Sequence, residues 1–235
     1  MTPTPICFAH RGASGYEPEN SMASFQRAIS LGASWIELDV QSVEGCPIVF
    51  HDHDLKRTTG DMGLIASTSL DHIRGLTLAN GEKIPFLREV LTEFMGKVSL
   101  QIELKGFNIA KTVSLELSSA LSAGWSPSEL RVSSFDHEEL LEFHNLQPDI
   151  PIGALFYGYP LKVLDAAKKL GATSVHIKAP FISSQRIKAF QNEGIQVFVY
   201  TVNDESEIQK MITLGVDGIF TDYPDKVLAL TKTQL

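Results

Sequence analysis

Only two cysteines occur in this chain of 235 residues, Cys7 in an expected strand and Cys46 in an expected turn. They make no disulfide framework, and both are expected to be reduced thiols without a catalytic role. Long apolar runs are missing too: nothing approaches the roughly 18 consecutive apolar residues of a membrane helix. The opening "MTPTPICFAHRG" lacks the charged start, apolar stretch and small-residue cleavage site of a signal peptide, so a cytoplasmic protein is expected. Basic excess is absent, and a net charge of −8 argues against nucleic-acid or membrane-surface partners. Any anion site must therefore be local. No repeat or low-complexity segment breaks the chain, and its length and 43% hydrophobic content suit one α/β domain over residues 1–235.

What is present is a regular alternation of strand and helix signals. Short apolar or β-branched runs recur as "ICFA" from 6, "SWIELDV" from 34, "PIVFH" from 47, "VSLQIEL" from 98 and "RVSS" from 131. "IGALF" from 152, "SVHI" from 174, "IQVFVYTV" from 195 and "DGIFT" from 217 complete the series. Helix-period segments begin near Glu19, Pro85, Asn108, Asp136, Pro160, Phe181, Asp204 and Tyr223, with Asn20, Asn203 and Asp222 as candidate caps. Such alternation argues for a parallel sheet. The gap "QSVEGC" is too short for a parallel crossover of a dozen or more residues, so the second and third runs must form a hairpin turning at Glu44-Gly45. That pairing sets His51 opposite Leu38, beside Glu37 and Asp39. Removing the returning arm leaves eight parallel strands, the pattern of a (β/α)₈ TIM barrel with its site at the strands' carboxyl ends. Residues 52 to 84 are expected as a small cap-like insertion near the mouth.

Period-two alternation in "WIELDVQ" puts Ile36, Leu38 and Val40 on one face and Glu37, Asp39 and Gln41 on the other. "LQIELKG" repeats it, with Gln101, Glu103 and Lys105 opposite Ile102 and Leu104. Taken alone, an ExD strand is a salt-bridge partner or a solvated face. Here three carboxylates converge, and packed closely they would repel one another unless a cation lies between them. Oxygen-only ligation by Glu37, Asp39 and Glu103 favours one divalent hard cation, Mg²⁺ or Ca²⁺, over zinc. His10 and His51 each end an apolar strand, and with ordinary pKa values near 6.5 either can hold or release a proton at neutral pH. Arg11 and Lys105 bring positive charge to an acidic protein at the place where a phosphate would lie beside the metal. Salt bridges to Glu37 or Glu103 are the plainer role for both. His176 and Lys178 share a face at the end of "SVHIK" and are candidates to line the mouth. His53, His72, His137 and His144 read as surface or packing residues.

From His10 to about Pro224 the chain resembles the glycerophosphodiester phosphodiesterase family, most closely its bacterial cytoplasmic type. The resemblance rests on "AHRGASGYEPENS", "GASWIELDVQ", "PIVFHDHDLKRTTG", "IPFLREVL", "QIELK", "SSF", "VYTVND" and "GVDGIFTDYP", in that order. It implies metal-dependent hydrolysis of a small-molecule glycerophosphodiester to sn-glycerol 3-phosphate and an alcohol. It also implies metal carboxylates at Glu37, Asp39 and Glu103, catalytic histidines at His10 and His51, and phosphate contacts at Arg11 and Lys105. Glu19 would support the metal site from behind, and Asn20 would cap the first helix. Tyr200 stands where many relatives carry Trp, and would pack on the glycerol carbons while offering a hydroxyl. The turn "SVEGC" also departs from the Thr-Lys/Arg-Asp-Gly pattern common there. Two rivals remain at this level: a lipid phosphodiesterase acting on lysophospholipid, and a non-catalytic barrel that binds a phosphorylated metabolite.

Overall fold

Nine strands and ten helices alternate along the computed structural model, which describes residues 4–158 and 162–232. The strands are β1 (Ile6–Ala9), β2 (Trp35–Val43), β3 (Cys46–Val49), β4 (Ser99–Leu104), β5 (Leu130–Ser134), β6 (Ile152–Phe156), β7 (Ser174–Lys178), β8 (Gln196–Tyr200) and β9 (Gly218–Thr221). All nine expected runs are strands. The helices are α1 (Met22–Ser30), α2 (Lys56–Thr59), α3 (Leu70–Gly75), α4 (Leu87–Phe94), α5 (Ala110–Ala123), α6 (His137–Leu146), α7 (Val163–Leu170), α8 (Ser184–Gln191), α9 (Glu205–Leu214) and α10 (Pro224–Lys232). The helix start expected at Pro160 lies outside the described residues.

Strands β1, β2 and β4 to β9 pair in parallel, and the β1–β2 pairing closes them into an eight-stranded TIM barrel with β3 outside. The hairpin forms because Glu44 and Gly45 both take positive φ, 50° and 77°, the twist that two-residue hairpins prefer. Its register pairs Val40 with Val49, and Phe50 N–H donates to Asp39 O at 2.9 Å, so the chain leaves β3 with His51 beside the acidic end of β2. Residues 55 to 84 carry α2 and α3 and bury Leu55, Ile65 and Ile73 against Val43, Ile48 and Phe50 of the hairpin region. This small apolar cluster is separate from the main core, and it seats the insertion at the side of the mouth.

Alternation divides each barrel strand. Ile36, Leu38, Val40, Ile102 and Val132 point to the helices and join the main core. Facing inward, Phe8, Phe198 and Phe220 fill the barrel floor, with Phe8 stacked on Phe220 at 4.6 Å and tilted on Phe198 at 4.9 Å. Polar side chains occupy the next inward layers of the same strands. No helix among the described residues is long and apolar enough to cross a membrane.

Three expected caps serve elsewhere, two of them with a neighbour capping the helix instead. Asn20 has φ 55°, which is wrong for an N-cap, and Ser21 caps α1 instead by accepting from Ser24 N–H at 3.0 Å. Asp204, one residue after Asn203, caps α9. Asp222 precedes α10 by two positions and turns its carboxylate to His10. Each displaced side chain is used at the mouth.

Candidate active site

The loop after β1 opens the site. Arg11 and Gly12 both take positive φ, 56° and 82°, and a Cβ on Gly12 would lie 2.6 Å from the backbone carbon of Ser24. Only glycine fits there. The bend carries Arg11 across the acidic end of β2: its N–H donates to Glu37 Oε2 at 2.9 Å, its Nη1 to Glu19 Oε1 at 2.8 Å, and its Nε lies 3.1 Å from Asp39 Oδ2. Asn20 completes the grip by donating from Nδ2 to Asp39 Oδ2 at 2.9 Å and accepting from Asp39 N–H at 3.2 Å. Glu19 is also held by Arg57 of the insertion, whose Nη2 lies 2.6 Å from Glu19 Oε1.

Parallel register places Asp39 beside Glu103, and Glu37 lies two residues earlier on the same inward face. Carboxylate oxygens of Glu37, Asp39 and Glu103 all come within 4.8 Å of one another, and all three residues are buried. Burial raises a carboxyl's pKa, and mutual repulsion adds to it. Glu37 is accordingly pushed well above the usual range by burial, Asp39 and Glu103, while burial and Asp39 lift Glu103 to about 7. Asp39 goes the other way: burial opposes its charge, but Lys105 and Arg11 hold it down at about 2. Lys105 is itself raised to about 12, since burial is outweighed by Asp39 and Glu103.

Three carboxylates thus face two cations. Lys105 Nζ lies 3.3 Å from Asp39 Oδ1 and 2.5 Å from Glu103 Oε1, yet neither buried oxygen has a well-directed hydrogen bond. Oxygens left in this state at a common point, with no Cys or His among them, fit a hard divalent cation.

Both histidines are anchored through Nδ1. His10 meets Asp222 Oδ1 at 2.7 Å, and Asp222 is fixed by Ser14 Oγ at 3.0 Å and Asn203 Nδ2 at 2.6 Å. His51 meets Asp52 Oδ1 at 2.7 Å, and Arg57 Nε donates to Asp52 Oδ2 at 2.6 Å. Engaging Nδ1 leaves Nε2 as the reactive nitrogen of each ring. Burial lowers the His51 pKa, and although Asp39 opposes this, Lys105 and Arg11 reinforce it. Both rings line one cavity of about 330 Å³, together with Arg11, Glu37, Glu103, Lys105 and Tyr200. Asp39 lies behind them, 1% exposed.

The sequence matches the model of the glycerophosphoryl diester phosphodiesterase family over residues 10–226. The chain belongs to this family. It is 34% identical over 231 residues to the putative glycerophosphodiester phosphodiesterase YhdW of Bacillus subtilis, covering 94% of this chain and 95% of that one. The glycerophosphodiester phosphodiesterase of Caldanaerobacter subterraneus subsp. tengcongensis is 32% identical over 241 residues, covering 97% and 98%. Among solved structures, an Oleispira antarctica phosphodiesterase in complex with the product sn-glycerol-3-phosphate superposes with a TM-score of 0.90 at 31% identity, covering 97% of each chain.

Within this family barrel, every site position expected from the sequence converges on the mouth. His176 and Lys178 line the same cavity, but differently. His176 is 1% exposed at the cavity floor, within 3.1 Å of Ser174 Oγ and against Phe198 and Phe220. Burial and nearby Arg131 lower its pKa to about 3, so it is a neutral ring at physiological pH. Gly153 makes room for it, since a Cβ there would lie 2.4 Å from His176 Nε2. Tyr200 donates its hydroxyl to Phe156 O at 2.8 Å, so that group is engaged with the barrel wall. Asp222 and Asn203 read from the sequence only as helix caps, and Asp52 and Arg57 carry no site role there. Asp52 was visible beside His51 in "HDHD", whereas Asp222 stands 212 residues from its histidine.

Proposed function

We propose that this barrel hydrolyses glycerophosphodiesters, the deacylated forms of phospholipids, to sn-glycerol 3-phosphate and an alcohol with the help of one Mg²⁺ or Ca²⁺. The single observation that carries the reading is one cavity lined by two carboxylate-anchored histidines, Arg11, Lys105, Glu37 and Glu103, with Asp39 completing the buried oxygen-only triad behind them. Family membership and the product bound by the Oleispira antarctica relative support the substrate class. The net charge of −8 fits an enzyme acting on soluble diesters rather than at an anionic membrane surface.

Glu37, Asp39 and Glu103 would hold the cation, which when bound neutralises charge on the phosphoryl oxygens. Arg11 and Lys105 orient the phosphate, and Tyr200 packs on the glycerol carbons. His51, kept neutral by burial, Lys105 and Arg11, accepts the proton of the attacking oxygen at Nε2. His10, steadied by Asp222 at Nδ1 and carrying a proton on Nε2, donates that Nε2 proton to the departing alkoxide, which leaves as the alcohol. The attacking oxygen is either water or the glycerol 2-hydroxyl, and product analysis for a cyclic phosphate separates these.

The deciding experiment measures glycerol 3-phosphate released from glycerophosphoethanolamine after chelation and after adding back Mg²⁺ or Ca²⁺. Activity lost with chelator and restored by either ion is expected. No release with either metal, across several head groups, would refute the reading. Faster turnover of micellar lysophospholipid than of any soluble diester would move the assignment to the lipid phosphodiesterase rival.

A further inference from the structure

A second, wider groove of about 1250 Å³ begins where the reaction cavity ends. His51, Glu103, Lys105 and Phe135 line both, so the two are continuous. Phosphate bound between Arg11 and Lys105 would have one ester arm in the inner cavity and the other in this groove. Three large aromatic residues, Phe107, Phe135 and Tyr157, line this groove. Tyr157 stacks on Phe135 with centroids 4.1 Å apart and planes 17° apart, yet Tyr157 is 82% exposed, so its other face is open. Phe107, also 82% exposed, stands on the loop after β4 and lines the same groove. Large exposed aromatics at a reaction site need an occupant, since exposing them to water is unfavourable.

Charge identifies that occupant. Of the groove's acids, Asp52 is paired with Arg57 and Glu103 with Lys105. Asp136 caps α6, accepting from Glu138 N–H at 3.0 Å and Glu139 N–H at 3.2 Å. Asp54 and Glu138 are exposed, and neither has an ion-pair partner among the described residues. Aromatic faces beside unneutralised carboxylates attract an ammonium group through the ring quadrupole and direct Coulomb attraction. A neutral polyol gains little from either.

We propose that the outer groove receives the departing alcohol and selects diesters whose alcohol carries an ammonium group, with Phe107, Tyr157 and Glu138 as the specificity-determining residues. The inference rests on the phosphodiesterase reading above and adds the orientation of the substrate: glycerol inward, cationic alcohol outward.

The test compares kcat/KM for glycerophosphocholine and glycerophosphoethanolamine with that for glycerophosphoglycerol, whose alcohol is neutral. The wild-type enzyme should favour the two cationic diesters. A Phe107→Ala/Tyr157→Ala double variant should lower the choline-to-glycerol ratio roughly tenfold, the size expected for losing two exposed cation–π contacts. Glu138→Gln should lower the ratio by about threefold, as fits one exposed charge interaction. Because each protein supplies its own reference substrate, a loss of folded fraction cancels from the ratio. No wild-type preference, or a ratio unchanged in the double variant, overturns the inference while leaving the phosphodiesterase reading intact. Failure of the wild-type enzyme to cleave any of the three overturns both.

Discussion

Mouth and floor of this barrel are built by the same strands and obey opposite rules. On β2 the inward positions run Trp35, Glu37, Asp39; on β8 they run Phe198, Tyr200; on β4, Gln101 and Glu103, with Lys105 just past its end. Two residues of rise change an aromatic plug into a crowded ionic site. At the floor, Phe8, Phe198 and Phe220 remove apolar surface from water and stabilise the fold. At the mouth, three carboxylates are forced together against their own electrostatics, with Arg11 and Lys105 offsetting part of the repulsion. The fold tolerates that strain because the floor and the helix-facing core surround it. A site poised to take a cation and a phosphate is one that is not fully satisfied without them.

Substitutions at the two ends should therefore separate rate from stability. The largest expected effect is at the mouth: His10→Ala or His51→Ala lowers kcat by about 10²- to 10⁴-fold with an unchanged thermal melting profile. Near wild-type rates in both would remove their assigned roles. At the floor, Phe198→Ala should destabilise by about 3–5 kcal/mol in denaturant unfolding while the activity of the remaining folded protein changes little. A kcat loss matching that of the histidine variants would show that the two ends are not separable. Asp222→Asn keeps the size of the side chain but removes the charge beside His10, so kcat should fall by roughly tenfold. The pH–rate profile should shift with it, and a variant that changes KM alone would argue against a positioning role.

The smallest effect is a contrast in linkage, read on the metal-free protein by denaturant unfolding between pH 4.5 and 6.5. Glu103, raised to about 7 when folded, binds its proton more tightly in the native state, so its contribution to stability grows as pH falls from 7 towards its ordinary value. His176, lowered to about 3, binds its proton more tightly when unfolded, so its contribution is lost as pH falls below 6.5. Each slope is at most about 1.4 kcal/mol per pH unit. Glu103→Gln should make stability fall more steeply towards acid, and His176→Asn should make it fall less steeply. Parallel curves for both variants would show that the two ends do not titrate in opposition.

Much of this protein was legible in local pattern. Alternation in "WIELDVQ" and "LQIELKG" assigns the inward carboxylates, because side chains on a strand point to opposite faces with period two. The short gap after Val40 requires a hairpin, and its register delivers His51 to the acidic strand end. These relations lie within a few residues of one another, or follow from a sheet whose strand order is regular. Capping residues were the weaker part. Asn20, Asn203 and Asp222 have the chemistry of caps, but a polar side chain at a barrel mouth has competing partners, and tertiary hydrogen bonds took all three.

The sequence by itself determined the barrel, the outer hairpin and the set of acids, histidines and cations gathered at one end of it, because these follow from periodicity and loop length. Tertiary structure alone decided how each group is held and charged. Closure of β1 on β9 brings Asp222 to His10, Arg57 reaches from the insertion to Glu19 and Asp52, and stacking of Phe135 with Tyr157 shapes the outer groove. Glu37 and Asp39 stand two residues apart yet fall on opposite sides of the usual carboxylate range: burial, Asp39 and Glu103 push Glu37 up, while Lys105 and Arg11 hold Asp39 down against its burial, since each pKa depends on which neighbours the folded chain brings within a few ångströms.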